Sequence, residues 1–126
     1  MSNQKRILLV EDDPDIRAMI TAFLAPTDCE VTETDNVDVA MRELANGRSF
    51  DLAILDFWLG NIHTVAIMDA IQSKVREVPI IIISGGNGSM DLERTEAISD
   101  VSGAVMFLQK PFRKADLLAA VASAIR

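Results

Sequence analysis

Cysteine is almost absent from this chain. Cys29 stands alone, so no internal disulfide can form, and one free thiol suits a reducing compartment; the cytoplasm is the expected location. Basic residues are scarce too: 12 Lys and Arg face 19 Asp and Glu, a formal net charge of -7. A protein that tracks a phosphate backbone needs clustered cations, so direct nucleic-acid binding is not expected. Proline (4) and glycine (6) are few, and 49% of the residues are hydrophobic, which excludes a disordered or low-complexity chain. The apolar run after Lys5-Arg6 is only four residues long, too short for a signal peptide or a membrane span. The single histidine, His63, has no Cys, His or carboxylate at ligand spacing and reads as a solvated loop residue. Gly85-Gly86-Asn87-Gly88 lacks the Lys-Ser/Thr that closes a P-loop.

What the chain does have is a repeated cycle. Its 126 residues fit one domain, residues 1-126, large enough to bury about two-thirds of the surface of the unfolded chain. Ile7 to Val10 is a continuous apolar run, as in a strand buried on both faces, and it stops at Glu11-Asp12-Asp13-Pro14. Ile16, Met19, Ile20, Phe23 and Leu24 then recur at helical spacing, with Pro26 closing the helix. Residues 30-34 read as a more polar strand, 37-45 as a helix, and 52-55 as a second buried run that ends at Asp56. A third helical pattern runs through Val65, Ile67, Met68, Ile71 and Val75, and the strongest strand, 80-83, ends at Ser84-Gly85-Gly86. Residues 90-98 suit a fourth helix, Gly103 a turn, 104-108 a fifth strand and 114-126 a last amphipathic helix. Strands and helices in alternation predict an α/β domain, doubly wound and flavodoxin-like, with a five-stranded parallel sheet covered by helices on both faces.

Ligands of such a sheet bind outside the carboxyl ends of its strands. The pattern places Glu11, Asp12, Asp56, Ser84 and Lys110 there, from four separate loops. Three carboxylates in one crevice are costly, since like charges about 4 Å apart repel by about 4 kcal/mol even at an effective dielectric near 20. Mg²⁺, hard and oxygen-seeking, is the natural offset, and Lys110 supplies a second cation. A carboxylate, a divalent ion, a lysine and a hydroxyl suit phosphoryl transfer, with Asp56 as the nucleophile that forms an acyl phosphate.

Four segments in order, Ile7 to Pro14 with Arg17 following, Asp51 to Asp56, Ser84, and Gly103 to Phe112, resemble the response-regulator receiver family of two-component signalling. The resemblance spans the whole chain. It implies Mg²⁺ ligation by Asp12, Asp56 and the backbone carbonyl of Trp58, with Glu11 assisting through water. It also implies contact of Lys110 with the phosphoryl group, a cis bond before Pro111, and a switch in which Ser84 and Phe107 move together. The implied partners are a histidine kinase or histidine phosphotransfer protein as donor and a downstream protein target; no membrane is implied. This chain differs from the family's usual pattern in having Gly60 where a proline often follows the acceptor, and about four extra residues between Ser84 and Lys110.

Blander readings exist for each residue taken alone. Asp12 or Asp13 suits a helix cap, Ser84 likewise, Lys110-Pro111 a turn, and Phe107 a core position. The alternative for the whole is a receiver-like module that docks without phosphorylation. A haloacid-dehalogenase-type phosphatase is disfavoured because Trp58 stands where a second Asp is needed. A flavodoxin is disfavoured because Glu11-Asp12-Asp13 would repel a phosphate.

Overall fold

The structure, a computed structural model, describes residues 4-45, 50-56, 58-59, 62-63, 78-85 and 105-125. Their order is β1 (Arg6–Val10), α1 (Pro14–Leu24), a 3-10 turn (Ala25–Thr27), β2 (Glu30–Thr34), α2 (Val37–Ala45), β3 (Leu52–Asp56), β4 (Trp58–Leu59), β5 (Ile62–His63), β6 (Ile80–Gly85), β7 (Val105–Lys110) and α3 (Lys114–Ile125). Five of the strands form one parallel sheet in the order β2-β1-β3-β6-β7. Sequence order reverses beside β1 and β3, which makes the crevice at their carboxyl ends the place where such folds bind ligands. The expected α/β flavodoxin-like architecture is the one observed.

Both faces of the central strands are buried, and this is why their sequences are continuously apolar rather than alternating. One face carries Ile7, Leu9, Leu52, Ile54, Ile81 and Ile83, packed against Ile20 and Leu24 of α1 and Leu117, Ala120 and Val121 of α3. Leu117, Ala120, Val121 and Ala124 follow the i, i+3, i+4, i+7 spacing that lines one helix face. On the other face Leu8, Val10, Ala53, Leu55, Ile80 and Ile82 are no more than 1% exposed, and α2, with Ala40 fully buried, lies against β1 and β2. Each fully buried aliphatic side chain contributes about 1.5–3 kcal/mol.

The element ends differ from the sequence pattern. Ser84 and Lys110, expected in loops, lie inside β6 and β7, because the ladder continues through Ser84↔Gln109 and Gly85↔Lys110. Backbone pairing does not require apolar side chains. α1 stops at Leu24, just ahead of Pro26 as expected, and Pro26 sits in the 3-10 turn, where the Thr27 hydroxyl donates to the Leu24 carbonyl at 2.6 Å. Asp28 then takes a left-handed conformation, φ 59°, which Asp tolerates better than most residues. His63, expected in a loop, belongs to β5, which pairs antiparallel with β4. The expected helices at 65-75 and 90-98, the turn at Gly103, Gly60, and most of the lengthened segment after Ser84 lie outside the described residues. No helix among the described residues is long and apolar enough to cross a membrane.

Candidate functional site

Strand alternation builds the site. Counting by twos along β1, β3 and β7, the core residues Leu9, Ile54 and Leu108 are followed by Glu11, Asp56 and Lys110. The same parity that buries the aliphatic side chains therefore carries three ionisable groups to the carboxyl edge of one sheet. Val10 pairs with Leu55, which brings Glu11 and Asp56 side by side, and the Glu11 N–H extends the ladder by donating to the Thr34 carbonyl at 3.1 Å.

Lys110 Nζ lies 3.3 Å from Glu11 Oε1 and 3.9 Å from Asp56 Oδ1. The Glu11 side chain is 1% exposed, that of Asp56 10% and that of Lys110 22%. Glu11 is thus the most deeply buried charge of the set, and the Lys110–Pro111 peptide that follows its partner is cis. A buried carboxylate is tolerable only with a counter-charge and hydrogen bonds. Glu11 has both, since its Oε2 also accepts from the Asp13 N–H at 3.1 Å.

The three consecutive acids have separate roles. Asp13 is the N-cap of α1: its Oδ1 accepts from the N–H groups of Asp15 at 2.8 Å and Ile16 at 3.3 Å, with Pro14 at the first helical position. Glu11 points inward to Lys110. Asp12 is exposed and lies with Glu11 and Asp56 in a cluster whose ligand oxygens are all within 4.8 Å of one another.

The donor set fits a hard divalent ion. Oxygens on one octahedral Mg²⁺ are about 3 Å apart when adjacent and about 4.2 Å when opposite, so this trio is nearly at the required spacing. Glu11 Oε1 is buried with no hydrogen bond of acceptable geometry, its close contact being the Lys110 ammonium. An oxygen in that condition is suited to receive a cation.

Of the residues singled out from the sequence, Glu11, Asp12, Asp56 and Lys110 come together. Trp58 begins β4, two positions beyond Asp56. Ser84 and Phe107 hold positions in β6 and β7, where Ile82 pairs with Phe107; their side chains, like that of Trp58, lie outside the described part of the structure. Sequence reasoning gave no role to Arg17, whose Nη1 donates to the Glu11 carbonyl at 2.7 Å and whose Nε lies 3.6 Å from Glu33 Oε1. Its only signal was a cation one turn into the helix after the acids.

Comparison with known proteins identifies the family. A family model described as the response regulator receiver domain matches residues 7–122. The nitrogen assimilation regulatory protein NtrX of Azorhizobium caulinodans is 32% identical over 108 residues, which cover 84% of this chain and 23% of that protein. The transcription factor prr1 of Schizosaccharomyces pombe is 33% identical over 117 residues, 91% of this chain and 20% of that protein. The chain thus spans less than a quarter of the length of these relatives. A crystal structure of NtrX from Brucella abortus superimposes with a TM-score of 0.84 at 28% identity, covering 97% of this chain and 27% of that one.

Proposed function

This chain belongs to the response regulator receiver domain family, and we propose that it accepts a phosphoryl group on Asp56 in the presence of Mg²⁺. The observation that carries the reading is the bridging position of Lys110, 3.3 Å from Glu11 and 3.9 Å from Asp56, beside a carboxylate trio of metal-binding dimensions. Residues 1-126 act as one receiver unit. The donor is a phosphohistidine on a histidine kinase or histidine phosphotransfer protein, and the output is a changed surface for a downstream protein, in the cytoplasm.

A carboxylate oxygen of Asp56 attacks phosphorus, the P–N bond to the donor imidazole breaks, and its electron pair stays on the ring nitrogen. The product is an acyl phosphate on Asp56. Asp12, Asp56 and the Trp58 carbonyl would hold Mg²⁺, with Glu11 assisting; when bound, the ion neutralises charge on the phosphoryl oxygens. Lys110 leaves its contact with Asp56 for the same oxygens from the other side. Its burial, with the side chain 10% exposed, keeps Asp56 in a medium where such charge contacts are stronger than in water. The added charge of about -1.5 to -2 then biases a switch at Ser84 and Phe107.

Incubation with Mg²⁺ and acetyl phosphate, followed by intact-mass measurement, tests this. The wild type gains one phosphoryl group, and neither Asp56→Ala nor chelator-treated protein does. A wild type that gains nothing, or an equal gain in Asp56→Ala, overturns it.

A further inference from the structure

Besides its ion pair with Lys110, Glu11 is held by three hydrogen bonds. Its N–H donates to the Thr34 carbonyl at 3.1 Å, its Oε2 accepts from the Asp13 N–H at 3.1 Å, and its own carbonyl accepts from Arg17 Nη1 at 2.7 Å. The second holds the peptide plane that follows Asp12, through the Asp13 N–H, and the third holds the plane that precedes it. The carbonyl of Glu11 and the N–H of Asp12 belong to one rigid peptide plane, so the guanidinium that fixes the carbonyl also fixes the plane from which Asp12 departs. Asp12 is exposed among the described residues, so the peptide planes on either side of it are what set its direction there. Arg17 is itself braced, with its side chain 22% exposed and its Nε 3.6 Å from Glu33 Oε1 on β2. It therefore ties helix α1, the end of β1 and the edge strand β2 to the peptide between two of the acids.

We propose that Arg17 is a positioning residue of the divalent-metal site, presetting Glu11 and Asp12 through their shared peptide plane. The proposal rests on the Mg²⁺ reading above and adds a residue to it. Arg17 is not a ligand and, being cationic, repels the ion it helps to place. Positioning and simple charge consequently predict opposite signs. Removing the guanidinium loosens the acid pair and weakens Mg²⁺ binding if Arg17 positions, but tightens binding if only its charge is felt.

The test is a calorimetric Mg²⁺ titration of the wild type, Arg17→Gln and Arg17→Lys, each paired with a urea unfolding curve and the amide ¹H–¹⁵N spectrum of the metal-free protein. Loss of a group that orients a ligand weakens metal binding about tenfold or more, and this is the expectation for Arg17→Gln. A displaced Asp12 amide resonance is expected before any metal is added. Arg17→Lys keeps the charge but not the two-armed fork, so its Kd rises several-fold. Should Arg17→Gln fail to fold, Arg17→Lys decides alone. A Kd that is unchanged or lower in the folded variants, even with a lowered urea midpoint, means that Arg17 is only a structural tie and overturns the proposal. Absence of Mg²⁺ binding by the wild type overturns the metal reading and this proposal together, whereas normal wild-type binding with unaffected variants overturns this proposal alone.

Discussion

Lys110 sits closer to Glu11 than to the proposed acceptor Asp56, 3.3 Å against 3.9 Å. In the metal-free protein its first task is to neutralise the most buried charge among the described residues. Lys110→Met leaves the Glu11 carboxylate, 1% exposed, without its counter-charge. The expected loss is about 3 kcal/mol of unfolding free energy, the low end for a broken buried pair because Lys110 is partly exposed. Urea unfolding without metal measures it. Mg²⁺ should restore part of the loss, and an unchanged midpoint would show that the pair contributes nothing.

Asp56 is crowded by like charge that Lys110 only partly offsets. At an effective dielectric near 20, repulsion from two carboxylates taken at the 4.8 Å limit of the cluster totals about 7 kcal/mol, against about 4 kcal/mol of attraction from Lys110 at 3.9 Å. Asp56→Asn should therefore stabilise the metal-free protein by about 1 kcal/mol after screening at the exposed Asp12, while abolishing phosphoryl uptake. A thermal scan in chelator should show the midpoint rising. A fall would mean that the cluster is net stabilising as it stands.

Neighbouring acids should give opposite phenotypes. Asp13→Ala removes the N-cap of α1 and costs about 1 kcal/mol, with Mg²⁺ binding retained. Asp12→Ala, at an exposed position, costs little stability and removes Mg²⁺ binding. Trp58, the only tryptophan, stands two residues beyond Asp56 and gives a fluorescence readout for the titration. Equal Mg²⁺ affinities in the two variants would contradict this division.

Core packing should be separable from chemistry. Leu117 of α3 is fully buried against the β1, β3 and β6 side chains. Leu117→Ala should cost about 2–5 kcal/mol. Protein that remains folded at low temperature should still be labelled by acetyl phosphate, and the two values are read from urea curves and intact mass.

The sheet was legible because strands buried on both faces must be apolar throughout, and Ile7 to Val10, Leu52 to Leu55 and Ile80 to Ile83 have no other economical reading. Their ends were less legible. Ser84, Gly85 and Lys110 join the ladder through backbone groups that side-chain pattern does not report. The acids and the lysine could be gathered to one edge from strand order alone. Which of Glu11, Asp12 and Asp13 turns inward, which is exposed and which caps the helix could not, since all three are acidic and the outcome depends on the dihedral angles of one turn. Glu11 in particular departs from the expectation that carboxylates stay exposed, and only the reach of Lys110 from a strand distant in sequence explains it. Arg17 marked the resemblance, but its contact could not be read from the sequence because its acceptor is a backbone carbonyl.

The central claim, that Asp56 is the acceptor, is tested most directly by reducing the phosphorylated protein with borodeuteride, which converts an acyl phosphate carbon to a deuterated alcohol, and mapping the label by peptide sequencing. Cleavage after Arg48 and Lys74 yields one peptide that contains Asp51, Asp56 and Asp69, so the three compete within a single spectrum. Label confined to Asp56, dependent on Mg²⁺ and on the phosphodonor, is the predicted result. Label at Asp51 or Asp69, or none in this peptide while the protein still gains phosphate, would contradict it.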